Sequence, residues 1–162
     1  SSRRKIFSIT ELKILMKRGR RLLKMENCRF CNIEKDRVIR ETENTITLLS
    51  NPYLMQGHSL VIPKLHFERL YQLPSKIRHE LIDETMNVQE LLMQRLDIPG
   101  CDIRQNYRPF IPDDRLKVSH LHFHVIPRYF GDELYEKSMI HEKQVFTDLT
   151  PDLIKFLTGR LK

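Results

Sequence analysis

No apolar run in this chain approaches the ~18 residues that a membrane-spanning helix needs. The chain does not open on the charged, apolar and small-residue succession of a secretory signal either. The expectation is therefore a soluble, cytoplasmic protein with no transmembrane segment. Internal repeats and low-complexity segments are also absent. Cysteine is scarce: three residues, an odd number, do not suggest a disulfide framework. In a reducing compartment the close pair Cys28 and Cys31 points to a metal before a disulfide, and the leftover Cys101 reads as a packed thiol. What the 162 residues do have is a 40% hydrophobic fraction, enough for one ordinary domain with a real core and too little chain for two.

The formal charge of +7 resembles a nucleic-acid signal until it is located. Residues 1–26 hold nine basic side chains against Glu11 and Glu26, and the other 136 residues balance, 19 of each sign. The excess thus belongs to an N-terminal arm, which weakens the case for nucleic-acid binding by the domain that follows. Within the arm, Leu12, Leu15, Met16, Leu22 and Leu23 fall on one helical face, Thr10 is placed to cap, and basic residues fill the rest. This basic amphipathic helix has three readings: an arm that holds nucleic acid or an anionic membrane, a transit-like segment, or a helix packed on the domain or on a partner subunit with a solvated basic face. The last is the ordinary behaviour of a charge run. The division expected is an arm, 1–26, and a domain, 27–162.

From Cys28 the pattern turns to short strands. Residues 37–41 and 45–49 are rich in β-branched side chains and flank a Glu43-Asn44 turn, which predicts a hairpin. A loop at Asn51-Pro52-Tyr53 leads into Leu60-Val61-Ile62, a buried central strand that Pro63 should end. Ile77, Leu81, Val88, Leu92 and Leu96 recur near the 3.6-residue period, predicting a helix over 75–96 that Pro99-Gly100 stops. Another strand is expected at 101–107, then a loop, then the stretch from Ser119 to Arg128. A last short helix should begin near Pro151.

That stretch reads Ser-His-Leu-His-Phe-His-Val-Ile-Pro-Arg. On a strand, successive side chains alternate faces, so His120, His122 and His124 would share one face while Leu121, Phe123 and Val125 enter the core. Imidazoles in such a row are ligands or catalysts; the bland alternative is a strand with a wet, histidine-bearing face. For Cys28 and Cys31 three readings stay open on the residues alone: metal thiolates, a redox dithiol, or two buried thiols.

The sequence His-Leu-His-Phe-His-Val-Ile has the form that names the histidine triad family, and three further stretches agree in order. These are Cys28-Arg29-Phe30-Cys31, Gly57-His58 through Pro63-Lys64-Leu65-His66, and Pro127-Arg128 with Gly131-Asp132. The resemblance covers roughly residues 27–133 and is strongest to the branch of fragile histidine triad and dinucleoside polyphosphate hydrolases. It implies an α+β fold, a mostly antiparallel five-stranded sheet with the long helix across it and the last helices near its edge, usually as a homodimer. It also implies nucleotidyl transfer, in which His122 attacks the α-phosphorus of a nucleotide and carries a nucleotidyl-imidazole until an acceptor takes it. The chemistry suits the residue: a neutral imidazole approaches an anionic phosphate without repulsion, and its phosphoramidate turns over. Positive charge or N–H donors must then surround the phosphate, and His124 and His58 are the candidates, one of them to protonate the leaving group.

The resemblance further implies a ribose contact for Asn51, a polar position at Asn106, and a closed zinc site of Cys28, Cys31, His66 and His120 that organises the triad. Mg2+ is the second candidate ion, as companion of a polyphosphate substrate. One departure is plain. Family members often carry Gly-Gln-Ser or Gly-Gln-Thr shortly before the triad, and this chain has Asp114-Arg115-Leu116-Lys117-Val118-Ser119. Arg115 and Lys117 are expected to replace neutral donors with cations and favour a more charged polyphosphate, or else to be solvated loop charges. The leading function is cleavage of a dinucleoside polyphosphate or related nucleotide conjugate. The alternatives are processing of nucleic-acid ends (deadenylation or cap degradation), with residues 1–26 holding the strand, and a non-catalytic metal-binding regulatory domain.

Overall fold

The computed structural model describes residues 26–134, together with Thr10, Thr150, Pro151, Asp152 and Phe156. Apart from Thr10 and Glu26, the basic arm lies outside the described residues, as do most of the closing helices. The chain divides into two compact units, 1–129 and 130–162. In the second, residues 133–134, 151–152 and 156 are helical.

In the first unit, strands β1 (Val38–Glu41), β2 (Thr45–Leu49), β3 (Ser59–Pro63), β4 (Gly100–Gln105) and β5 (Phe123–Arg128) form one sheet in the order β1-β2-β3-β5-β4. Every pairing is antiparallel. With helix α1 (Ser75–Leu96) this is the α+β architecture expected. The predicted hairpin is β1–β2, and α1 braces its turn: Glu80 accepts the Asn44 backbone N–H at 2.9 Å and the Asn44 side-chain amide at 2.6 Å.

Strand β3 is the middle of the sheet and all five of its residues are buried. An uninterrupted apolar run fits only where both faces are covered. On one face α1 lays Ile77, Leu81, Val88 and Leu92 against Val61, Leu121, Phe123 and Val125. On the other, Leu48, Leu60 and Ile62 pack under Phe30, Ile33 and Ile46. The helix also buries a charge, Glu84, at 3% exposure. Arg40 answers it at 2.8 Å and the Thr47 hydroxyl donates at 3.3 Å, so the carboxylate is not left unpaired.

Helix α1 spans the expected 75–96, but its stop is Asp97, whose left-handed backbone (φ 51°) closes the last turn, two residues before Pro99 could act. Two strand boundaries differ from the sequence reading. Strand β4 begins at Gly100 and stops at Gln105. Strand β5 begins only at Phe123. The residues before it are held by tertiary bonds: the Leu121 N–H donates to the Phe67 carbonyl and the His120 ring donates to the Pro63 carbonyl. His120 is therefore 2% exposed and does not share a wet face with His122 and His124, which are half-buried.

Leu121 is the apolar residue seated between His120 and His122, 1% exposed in the helix-side core. Leu121→Ala is expected to lower the unfolding free energy by about 3 kcal/mol, transfer and cavity contributions together, as read from the urea midpoint.

Candidate active site and metal centre

The site lies on the sheet face opposite α1. His124 on β5 pairs in register with Leu60 on β3, and His58 sits just before β3. The turn that delivers His58 needs glycine: Gly57 has φ +88°, and a Cβ there would meet Leu96 Cδ1 at 2.6 Å.

The hydrogen bonds assign each ring its tautomer. His58 Nδ1 accepts the Leu54 backbone N–H at 3.1 Å, so the proton of His58 is on Nε2, which donates to His124 Nδ1 at 3.0 Å. His124 in turn carries its proton on Nε2. His122 Nδ1–H donates to the His120 carbonyl at 2.6 Å, which leaves the lone pair of His122 Nε2 without a proton. The His122 and His124 rings stand edge to face, 4.7 Å apart, and Phe30 packs edge-on against His122 at 5.1 Å.

All three imidazoles are held neutral. Burial, helped by the charges of Arg104 and His122, pushes His58 down to about 4. Burial and the neighbouring His122, His58 and Arg104 push His124 down to about 3. His122 is also lowered, by burial first, although its bond to the His120 carbonyl works the other way. Arg104 reaches this group from β4, where it pairs in register with His124.

Behind the triad, Cys28, Cys31, His66 and His120 bring their ligand atoms within 4.8 Å of one another. His120 donates Nε2–H to the Pro63 carbonyl at 3.0 Å, so its Nδ1 faces the sulfurs, 3.4 Å from Cys28 and 3.7 Å from Cys31. His66 Nδ1 lies 3.5 Å from Cys31 Sγ. Tetrahedral zinc, with bonds of about 2.3 Å to sulfur and about 2.0 Å to nitrogen, separates sulfur and nitrogen ligands by about 3.5 Å. Donor types and spacings thus fit such an ion. Burial raises the Cys28 thiol, but the neighbouring imidazoles of His120 and His66 outweigh it and bring it down to about 5, thiolate range near neutral pH.

A cavity of about 700 Å3 opens over His122, His124 and His58. Of the residues expected from sequence to contact substrate, Asn51 and Arg115 line it. Two other candidates do not join them. Asn106 is exposed on the loop after β4, outside this lining. Lys117 gives its ammonium to Asp113 Oδ1 at 2.7 Å and to the Ser119 hydroxyl. Arg29 and Phe30 line the cavity and were missed, because in a Cys-x-x-Cys reading they are only spacers. His79 is exposed on α1, away from the triad.

The neutral histidines set a pH signature. Their folded pKa values lie below the unfolded value of 6.5, so as pH falls the unfolded chain binds protons first. The resulting stability is full above 6.5 and drains as pH falls toward 4, about 1.4 kcal/mol per pH unit for each histidine. In His58→Gln, the slope of unfolding free energy between pH 6.5 and 5 is expected to be shallower by about one proton, measured by urea titration at each pH.

Comparison with known proteins agrees with this geometry. The family profile described as HIT domain matches residues 32–131. An uncharacterized HIT-like protein of Methanocaldococcus jannaschii is 33% identical over 109 residues, 65% of this chain and 81% of that protein. An adenosine 5'-monophosphoramidase of Saccharomyces cerevisiae is 28% identical over 105 residues, 62% of each chain. Among solved structures, a Zn-bound histidine triad family protein from Mycobacterium smegmatis superposes with TM-score 0.57 at 29% identity, covering 67% of this chain and 79% of that one. A HIT family member from Bacillus subtilis gives TM-score 0.64 at 22% identity, covering 84% and 95%. With a profile match across more than half of its length and the triad assembled on the sheet, the chain belongs to the HIT family.

Proposed function

We propose that this protein is a nucleotide hydrolase or nucleotidyl transferase that works through a nucleotidyl-His122 intermediate. The observation that carries the reading is the bond from His122 Nδ1–H to the His120 carbonyl, which leaves Nε2 as a free lone pair facing the cavity. That lone pair attacks the α-phosphorus, and the bond to the leaving group breaks with its electrons going to the departing atom. His124 Nε2–H donates a hydrogen bond to that atom, held in place by the 3.0 Å bond from His58, and the atom takes its proton from solvent. Water or another acceptor then attacks the phosphorus. The P–N bond breaks, its electrons return to Nε2, and the acceptor's proton passes to solvent.

Three relatives are named adenosine 5'-monophosphoramidases, and another is a nitrilase and fragile histidine triad fusion protein. They support a nucleoside monophosphate conjugate as substrate. Within that class we favour a dinucleoside polyphosphate, for which Asn51 would meet the ribose and Arg115 the phosphates. Cys28, Cys31, His66 and His120 would hold zinc, which when bound supplies a cross-link between the Cys28–Cys31 turn and the residue that orients His122. The homodimer belongs to this reading as well: β4 is an edge of the sheet, with Ile103 38% exposed.

In His122→Ala, release of AMP from diadenosine polyphosphates and from adenosine 5'-phosphoramidate is expected to fall by about three orders of magnitude or more, as removal of a covalent nucleophile does. Undiminished turnover would sink the assignment. Metal analysis of the purified chain is expected to find one zinc per chain. Cys28→Ser should lose most of it and His122→Ala should keep it; a metal that leaves with His122 would point instead to the regulatory, non-catalytic reading.

A further inference from the structure

Three arginines line the cavity beside His122: Arg29, Arg37 and Arg115. Arg37 is committed, donating to Glu34 and to the Leu49 carbonyl, each at 2.9 Å. Among the described residues, neither Arg29 nor Arg115 has a carboxylate at ion-pair distance.

The two free arginines are delivered by different devices. Arg29 stands at the tip of the turn closed by the Cys31 N–H donating to the Cys28 carbonyl at 3.1 Å. Arg115 stands at the tip of a loop pinned by two aspartates. Asp113 accepts Lys117 Nζ, the Ser119 N–H and the Ser119 hydroxyl at 2.7, 2.9 and 2.7 Å. Asp114 accepts the N–H groups of Leu116 and Lys117 at 2.7 and 2.8 Å. Lys117 is thereby neutralised, and Arg115 is left as the loop's free cation. Both tips line the same cavity, and the Asp114 carboxyl, held below its usual range by the N–H groups of Leu116 and Lys117, also feels the charge of Arg29.

This pairing answers a need that the triad leaves open. The hydrogen-bonded tautomers of His58, His122 and His124 supply a lone pair and N–H donors but no positive charge. When the bridge between the α-phosphorus and a phosphate leaving group breaks, its electron pair moves onto the bridging oxygen of the departing group, and that charge spreads over the neighbouring phosphates. Guanidinium groups match it in charge and in fork geometry. A phosphoramidate has no such demand: its nitrogen takes a proton and leaves as neutral ammonia.

We propose that Arg29 and Arg115 form a two-sided grip on the phosphates of an anionic leaving group, selecting nucleotide conjugates that release a phosphate chain over those that release a neutral amine. The inference rests on the proposed nucleotidyl transfer and adds to it the residues that set its specificity. One of them, Arg29, lies between two candidate metal ligands, so the turn that binds metal also presents a substrate contact.

The test compares kcat/KM for diadenosine triphosphate, whose leaving group is ADP, with that for adenosine 5'-phosphoramidate, in the full chain. Arg29→Gln and Arg115→Gln are each expected to lower the ratio of the two values about tenfold, a lost charge-assisted contact to phosphate. Arg29→Lys should recover part of the loss, and Arg37→Gln should move the ratio less than twofold. In parallel, inorganic tripolyphosphate, which undergoes no nucleotidyl transfer, is titrated by calorimetry; its affinity should fall about tenfold in each glutamine variant and further in the double variant. Equal losses for both substrates, an Arg37→Gln effect as large as the others, or unchanged tripolyphosphate affinity in the double variant would overturn the grip. Retained turnover in His122→Ala would overturn the nucleotidyl reading instead, and the tripolyphosphate titration would still decide on the arginines.

Discussion

His120 is the residue through which the rest of the site is held. Its ring Nε2–H is fixed to the Pro63 carbonyl at 3.0 Å, its Nδ1 looks into the cysteine pair, and its backbone carbonyl accepts the Nδ1–H of His122. One buried residue thus joins the end of the central strand, the metal-type cluster and the proposed nucleophile. Because the bond to His122 runs to backbone, it fixes the tautomer as well as the ring plane. A rotated His122 would lose the bond to the His120 carbonyl or point its lone pair at that carbonyl, and both are costly for a half-buried ring.

The electrostatics divide the site in two. Its inner part is neutral by burial: His58 and His124 are pushed far below the ordinary imidazole range, and like-charge repulsion among three close rings holds them there. Its outer part carries charge, with Arg29 and Arg115 at the cavity wall. A nucleophile gains from the first condition, since protonation would quench it, while a departing phosphate gains from the second. Keeping the cations off the histidines preserves the lone pair. The exception is Arg104, which faces His124 across the β4–β5 ladder, and its guanidinium is already bound to Asp102 at 2.7 Å.

Much of the fold was legible because it is local. The β1–β2 hairpin, the buried run of β3 and the 75–96 helix each announce themselves through pattern and turn residues, and all three stand where expected. The start of β5 was not legible. Alternation alone puts His120 on the same face as His122, but a bond to Pro63, fifty-seven residues away in sequence, turns it inward, and no local pattern encodes that. The four residues of the metal-type cluster and the three of the imidazole group could be named from motifs, yet their tautomers depend on backbone partners at Leu54, Pro63 and His120. The engagement of Lys117 was not legible for a similar reason. The Asp113 four residues earlier captures it, a spacing visible in the sequence whose consequence depends on the loop's curvature.

The loop before the triad shows how a charged segment can replace a neutral one without filling the site with unbalanced charge. Asp113, Asp114, Arg115 and Lys117 sum to zero, and the two acids are not spectators. Asp113, drawn down to about 2 by Lys117 and Ser119 against the opposing effect of burial, closes one side of the loop, and Asp114 closes the other through backbone N–H groups. Both carboxylates are engaged in building the turn, while Arg115 stands at its tip. A loop of neutral donors could meet a phosphate only with N–H and O–H groups. This one presents a full cation, and the cavity lining presents another at Arg29, on a turn whose cysteines face His120. The departure from the usual triad-loop sequence and the cysteine turn therefore present their cations to the same cavity that the imidazoles line, where a leaving group would collect its charge.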